Sequence, residues 1–136
     1  MKLATIVASA LLMTGCASGS KFQDTTLAEA EPENTRVFFY RPSAFSYAIK
    51  PTVFLDGEAV GKIEAKGFFF VDVDQGTYTV GTDKNGKYIT EIATFNEEVV
   101  YVKVKMKTGI FKAHAEAARV PEEVGRKEIT KTKYQN

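Results

Sequence analysis

The sequence predicts a mainly β protein: a small antiparallel β-sandwich with a short C-terminal helix, preceded by a signal peptide and a flexible tether. Three observations lead there. Aromatic residues are plentiful as Phe (10) and Tyr (6) with no Trp, and valines are many, a composition that suits strands. Short apolar runs recur between Gly, Asp, Asn and Pro turn signals, the spacing of a small all-β domain. Finally, the first 34 residues differ in character from the rest, so the chain divides into 1–15, 16–34 and a domain over 35–132.

The first segment opens with Met1-Lys2, a minimal positive start, followed by a charge-free run from Leu3 to Met13. That run has the length of a secretory signal and is too short to span a bilayer. It ends in Thr14-Gly15-Cys16, and Cys16 is the single cysteine of the chain. Leu12-Met13-Thr14-Gly15-Cys16 resembles the lipobox of bacterial lipoproteins, with Met13 where leucine is commoner. The resemblance implies a diacylglycerol on the Cys16 thiol, cleavage before it and acylation of the new amino terminus. Each buried methylene contributes about 0.8 kcal/mol, so one acyl chain holds reversibly and two or three hold firmly. The residues after the cysteine are Ala17 and Ser18. In Gram-negative lipoproteins an aspartate there commonly marks inner-membrane retention. Its absence implies the outer membrane, facing the periplasm.

Residues 17–34 are rich in Ser, Thr, Glu, Gln and Asp and bury too little to offset their ordering entropy. They read as a tether, reaching roughly 60 Å when stretched and about 25 Å as a coil.

The domain then follows element by element. Thr35 to Arg41 is a strand stopped by Pro42. Thr52 to Leu55 is a second, ended by the Asp56-Gly57 turn signal, and Val60 to Ile63 returns from it. Gly67 introduces a strand over Phe68 to Val73. Asp74-Gln75-Gly76 turns the chain into Thr77 to Val80, and Asp83-Lys84-Asn85-Gly86-Lys87 forms the next turn. Tyr88 to Phe95 and Glu98 to Met106 are expected to form a hairpin around Asn96-Glu97. In the latter strand Val100, Val102, Val104 and Met106 share one face and Lys103 and Lys105 the other. Phe111 to Val120, with alternating Ala113, Ala115 and Ala117, is expected to be the last strand, although its alanines also suit a helix. Pro121-Glu122-Glu123 opens a short helix over 121–132, with Pro at the first position and acids at the positive end of the dipole.

The runs Val37-Phe38-Phe39-Tyr40-Arg41-Pro42, Pro51-Thr52-Val53-Phe54-Leu55-Asp56-Gly57, Val60-Gly61, Gly67-Phe68-Phe69 and Gln75-Gly76-Thr77-Tyr78-Thr79-Val80 together resemble the bacterial domain-of-unknown-function family 2846. Members of that family are largely small lipoproteins. Asp56 stands where asparagine is frequent in the family and Asp74-Gln75 where prolines are frequent; both changes suit turns. The resemblance covers roughly residues 35 to 130. It implies the lipoprotein and sandwich readings and supplies no activity.

Composition narrows the chemistry. Lys plus Arg count 18 against 17 for Asp plus Glu, so the chain lacks the basic surplus of a nucleic-acid binder. His114 is the single histidine, and with Cys16 lipidated neither a Cys-His pair nor a zinc set can be assembled. No Gly-x-Ser-x-Gly elbow accompanies His114, which reads as a partly exposed strand residue. Asp72 with Asp74 could serve as paired carboxylates, but aspartate also favours turns for local reasons, and Asp56 and Asp83 occupy similar turns. Asp83-Lys84-Asn85-Gly86 resembles the start of a calcium loop without the later glutamate. No cofactor, metal or catalytic residue is implied.

Two features are candidates for a binding surface. Phe68-Phe69-Phe70 places rings on both faces of one strand, so both faces need cover. The reading adopted is that the second face packs under the C-terminal helix, the other being an exposed partner patch. The loop Ser43 to Lys50, bounded by Pro42 and Pro51, carries Phe45, Tyr47 and Ile49. They are candidate partner-contact residues, or simply packing over the sandwich edge. The expectation is a lipid-anchored envelope protein, a non-enzymatic interaction or structural module with a protein partner. The alternatives are a small-ligand or glycan-binding lipoprotein, an accessory lipoprotein of a secretion machine and, last, an enzyme.

Overall fold

The structure, a computed structural model, describes residues 34–83, 85–108 and 113–135. Cys16, the signal segment, nearly all of the tether, Lys84 and Phe111 lie outside the described residues. The elements run β1 (Thr35–Tyr40), β2 (Thr52–Leu55), β3 (Glu58–Lys62), β4 (Gly67–Val73), β5 (Gly76–Gly81), β6 (Ile89–Thr94), β7 (Val99–Lys107), β8 (His114–Val120), α1 (Glu122–Ile129) and β9 (Lys133–Tyr134). They form a five-stranded sheet, β8-β7-β1-β4-β9, and a four-stranded sheet, β3-β2-β5-β6. The architecture is the expected sandwich, antiparallel-rich, with two parallel pairs, β1 with β7 and β4 with β9.

β1 is buried along its whole length. Its unbroken Val37-Phe38-Phe39-Tyr40 run is that of a strand covered on both faces. One face, Val37 and Phe39, enters the core between the sheets with Val53, Val80, Ile92 and Val102. There the Phe39 ring stacks on Phe69 with centroids 5.2 Å apart. The other face, Phe38 and Tyr40, joins Phe68, Tyr101 and Ile129 in a second cluster beneath α1 and β9. Phe38 lies 5.4 Å from Tyr101 and 5.9 Å from Phe68, distances at which aromatic pairs attract beyond their burial. The triple-phenylalanine run of β4 is covered on both sides in this way, Phe69 and Val71 by the inter-sheet core and Phe68 and Phe70 by the outer cluster.

α1 is eight residues long and largely polar, and only Gly125 and Ile129 on it are buried. Gly125 permits its close approach: a Cβ there would stand 2.3 Å from Cγ of Tyr101. The helix is shorter than expected. Pro121 occupies the N-cap position, Glu122 and Glu123 fill the first turn, and Thr130 ends the helix. The chain then adds β9, which the sequence did not announce. Lys133 N–H donates to the Lys66 carbonyl and Gln135 N–H to that of Phe68, both at 2.9 Å.

The connection between β6 and β7 corrects an expectation. The two strands are not a hairpin, since β6 pairs with β5 in one sheet and β7 with β1 and β8 in the other. The chain crosses between sheets at Asn96-Glu97, with Glu97 in the left-handed region at φ 66°. The start of β1 holds this arch. Glu97 N–H donates to the Asn34 carbonyl at 2.9 Å, and the Thr35 hydroxyl donates to the Phe95 carbonyl.

Candidate interaction surface

β1 delivers Arg41 to the end of the sandwich. By strand parity Arg41 follows Val37 and Phe39 and points to the inter-sheet side. It is 1% exposed, the largest fully buried side chain among the described residues. Its guanidinium gathers four backbone carbonyls: Nη1 donates to Ile49 at 2.7 Å and Ile63 at 3.2 Å. Nη2 donates to Phe45 at 3.0 Å and Ser46 at 2.9 Å. Nε is buried and has no hydrogen-bond partner among the described residues. Burial lowers the pKa of this arginine, and carbonyl dipoles offset the cost of its charge.

Three of those carbonyls belong to the 42–51 loop, so the loop is wound around Arg41. Ser46 stands at φ 58°, and Ile49 N–H closes a turn on its carbonyl at 2.9 Å. The outward side carries the predicted residues. Phe45 is 51% exposed, Tyr47 74% and Ile49 44%. The structure therefore brings the three candidates together on one ordered loop and does not bury them against the sandwich edge. Sequence reasoning missed Arg41. Its signal was available: a cation at core parity directly after the Val37-Phe38-Phe39-Tyr40 run.

Beside the loop is a groove of about 530 Å³ lined by Pro42, Ser43 and Phe45 of the loop, by Lys103 to Met106 of β7, and by Lys66 and Lys131. Lys103 pairs with Glu128 at 3.0 Å. Glu128 also accepts the Tyr40 hydroxyl at 2.6 Å. Burial opposes its ionisation, yet the hydrogen bonds from Tyr40 and Lys103 together hold its carboxyl below the usual range. Burial first, and Glu128 second, push the Tyr40 phenol far up.

The weaker candidates have local explanations. Asp72 forms a two-pronged pair with Arg36, its cross-strand neighbour, at 2.8 and 2.9 Å. Asp56 accepts Thr79 N–H at 2.8 Å, and Asp83 accepts Asn85 N–H at 2.9 Å, each bracing a turn. Asp74 contributes its carbonyl to Tyr78. His114 stacks on Tyr88 at 4.3 Å and bonds Glu116 at 2.9 Å. Among the described residues no three of His, Cys, Asp and Glu gather as a metal site, and no helix is long and apolar enough to cross a membrane.

The fold and surface define a β-sandwich domain with an arginine-centred loop at one end. Residues 31–117 match the family described as protein of unknown function DUF2846, and the chain belongs to that family. It is 26% identical over 135 residues to an uncharacterized protein of Haemophilus influenzae, with 94% of this chain and 80% of the relative covered. No solved structure matches it.

Proposed function

We propose that the protein is a lipid-anchored envelope protein acting as a non-enzymatic interaction module, with Phe45, Tyr47 and Ile49 as its contact residues. The observation that carries this reading is the buried Arg41, which orders the loop while leaving those side chains in solvent. A loop ordered before binding loses little further entropy on contact, and aromatic side chains are favoured at interface centres. The run Leu3 to Met13 followed by Cys16 supports the anchor, and Ala17-Ser18 supports the outer membrane facing the periplasm.

Two experiments test the reading. Cys16→Ser is expected to leave an unprocessed precursor; normal cleavage to a soluble mature protein would refute the anchor. In-cell crosslinking of the acylated protein is expected to yield a dominant protein partner, lost on Phe45→Ala with Tyr47→Ala. Recovery of only bulk envelope proteins, unchanged by those substitutions, would refute the interaction module.

A further inference from the structure

We propose that the lysine-lined groove beside the 42–51 loop binds an acidic, extended polypeptide segment of the partner, laid along the edge of β7. The proposal rests on the interaction-module reading and names the chemistry of what is bound. Two independent observations carry it.

The first is charge. Lys66, Lys103, Lys105 and Lys131 line the groove, in a chain whose formal charge is only +1. Among the described residues no carboxylate lines it. Glu128 bonds Tyr40 and Lys103 and attracts Lys131 at longer range, so it offsets part of the lysine charge, most directly at Lys103. Glu116, opposite Lys105 in the β7–β8 register, bonds His114 and pairs with Lys107 at 3.5 Å. The groove therefore presents local positive charge, chiefly at Lys66, Lys105 and Lys131, that complementary acids would satisfy.

The second is the ladder. β1 accompanies β7 only as far as Tyr40 opposite Lys103. β7 continues to Lys107 with β8 on its other side. Arg41 N–H still bonds the Gly67 carbonyl of β4 at 3.0 Å, and Pro42, next in line, has no N–H to offer β7. Over Val104 to Met106 the side that β1 vacates faces the groove. An extended segment added to such an edge gains main-chain hydrogen bonds. Lys103 and Lys105 lie two residues apart on one face, about 7 Å, which is also the spacing of acids at alternate positions of an extended peptide. The concave shape favours a peptide over a flat lipid surface.

The test uses the purified acylated protein in a neutral detergent and a fluorescent eight-residue peptide alternating Glu and Val, followed by anisotropy. The expected result is saturable binding that weakens with added salt. It should weaken about tenfold in Lys105→Glu with Lys131→Glu and be lost for a peptide with Gln in place of Glu. Both lysines are exposed, so the variant is expected to keep its thermal midpoint; Lys105→Gln with Lys131→Gln serves as a milder neutralisation. No saturable binding, binding indifferent to both variants, or equal binding of the Gln peptide would overturn the proposal. So would protection of Lys66, Lys105 and Lys131 from amine acetylation by phosphatidylglycerol-doped micelles but not by the peptide, which would assign the groove to a lipid headgroup. Partner capture that depends on Phe45 and Tyr47, together with no peptide binding, would overturn the groove proposal alone.

Discussion

Arg41 Nη1 donates to the Ile49 carbonyl at 2.7 Å across eight positions of sequence. The bond closes the 42–51 loop onto the strand that precedes it, and the neighbouring bonds to Phe45 and Ser46 fix the loop's middle. A planar fork of donors suits four carbonyls; the compact ammonium of lysine does not. Arg41→Lys is therefore expected to destabilise the domain by about 1–3 kcal/mol. Urea denaturation measures the loss. Amide exchange across 43–50 is expected to accelerate more than exchange in β7; unchanged protection of the loop would contradict the account.

Gly125 lets α1 touch β7. In Gly125→Ala the added methyl would fall within 2.3 to 2.8 Å of three Tyr101 atoms, so helix or ring must shift. Although alanine is the better helix former, overpacking is expected to win, with a net loss of about 1–3 kcal/mol. A denaturation midpoint equal to or above that of the parent would show that the helix is not packed as described.

Glu128 links β1, β7 and α1 through Tyr40 and Lys103. Its folded-state pKa is depressed, so its contribution is present above the unfolded value, about 4.3, and is lost as pH falls through the lower folded value. Glu128→Gln is thus expected to be less stable than the parent at pH 7, the two curves converging below pH of about 4. A stability difference that persists undiminished into acid would contradict the ionic reading.

The β2–β3 turn isolates a backbone effect. Asp56 and Gly57 both sit at positive φ, 51° and 83°, and a Cβ on Gly57 would meet nothing within 4 Å. Gly57→Ala should therefore act through φ alone and cost about 1 kcal/mol. A neutral result would mean the turn relaxes to another type.

Much of the fold was legible because turn dipeptides and period-two alternation are local. Asp56-Gly57 and the alternation of β7 placed their elements correctly. Alternation reveals which side chains face the core but not which strand lies alongside. Ile92 of β6 and Val102 of β7 enter the same core from opposite sheets, so a crossing at Asn96-Glu97 looks like a hairpin in sequence. β9 is two residues long, too short to carry a period. The loop residues Phe45, Tyr47 and Ile49 stood out between two prolines. Arg41 did not: its core parity was readable, but the carbonyls that satisfy a buried cation there come from loop positions and from Ile63 of the opposite layer, which no local pattern shows.

The central claim is that the Arg41-ordered loop is the contact surface. A photo-crosslinking amino acid placed in living cells at position 47, and separately at position 95, tests it most directly. Tyr47 and Phe95 are both exposed, at 74% and 59%, and they lie near opposite ends of β1. The account predicts one discrete crosslinked partner from position 47, abolished by Phe45→Ala with Ile49→Ala, and none from position 95. Equal products from both positions, or a position-47 product indifferent to those substitutions, would contradict it.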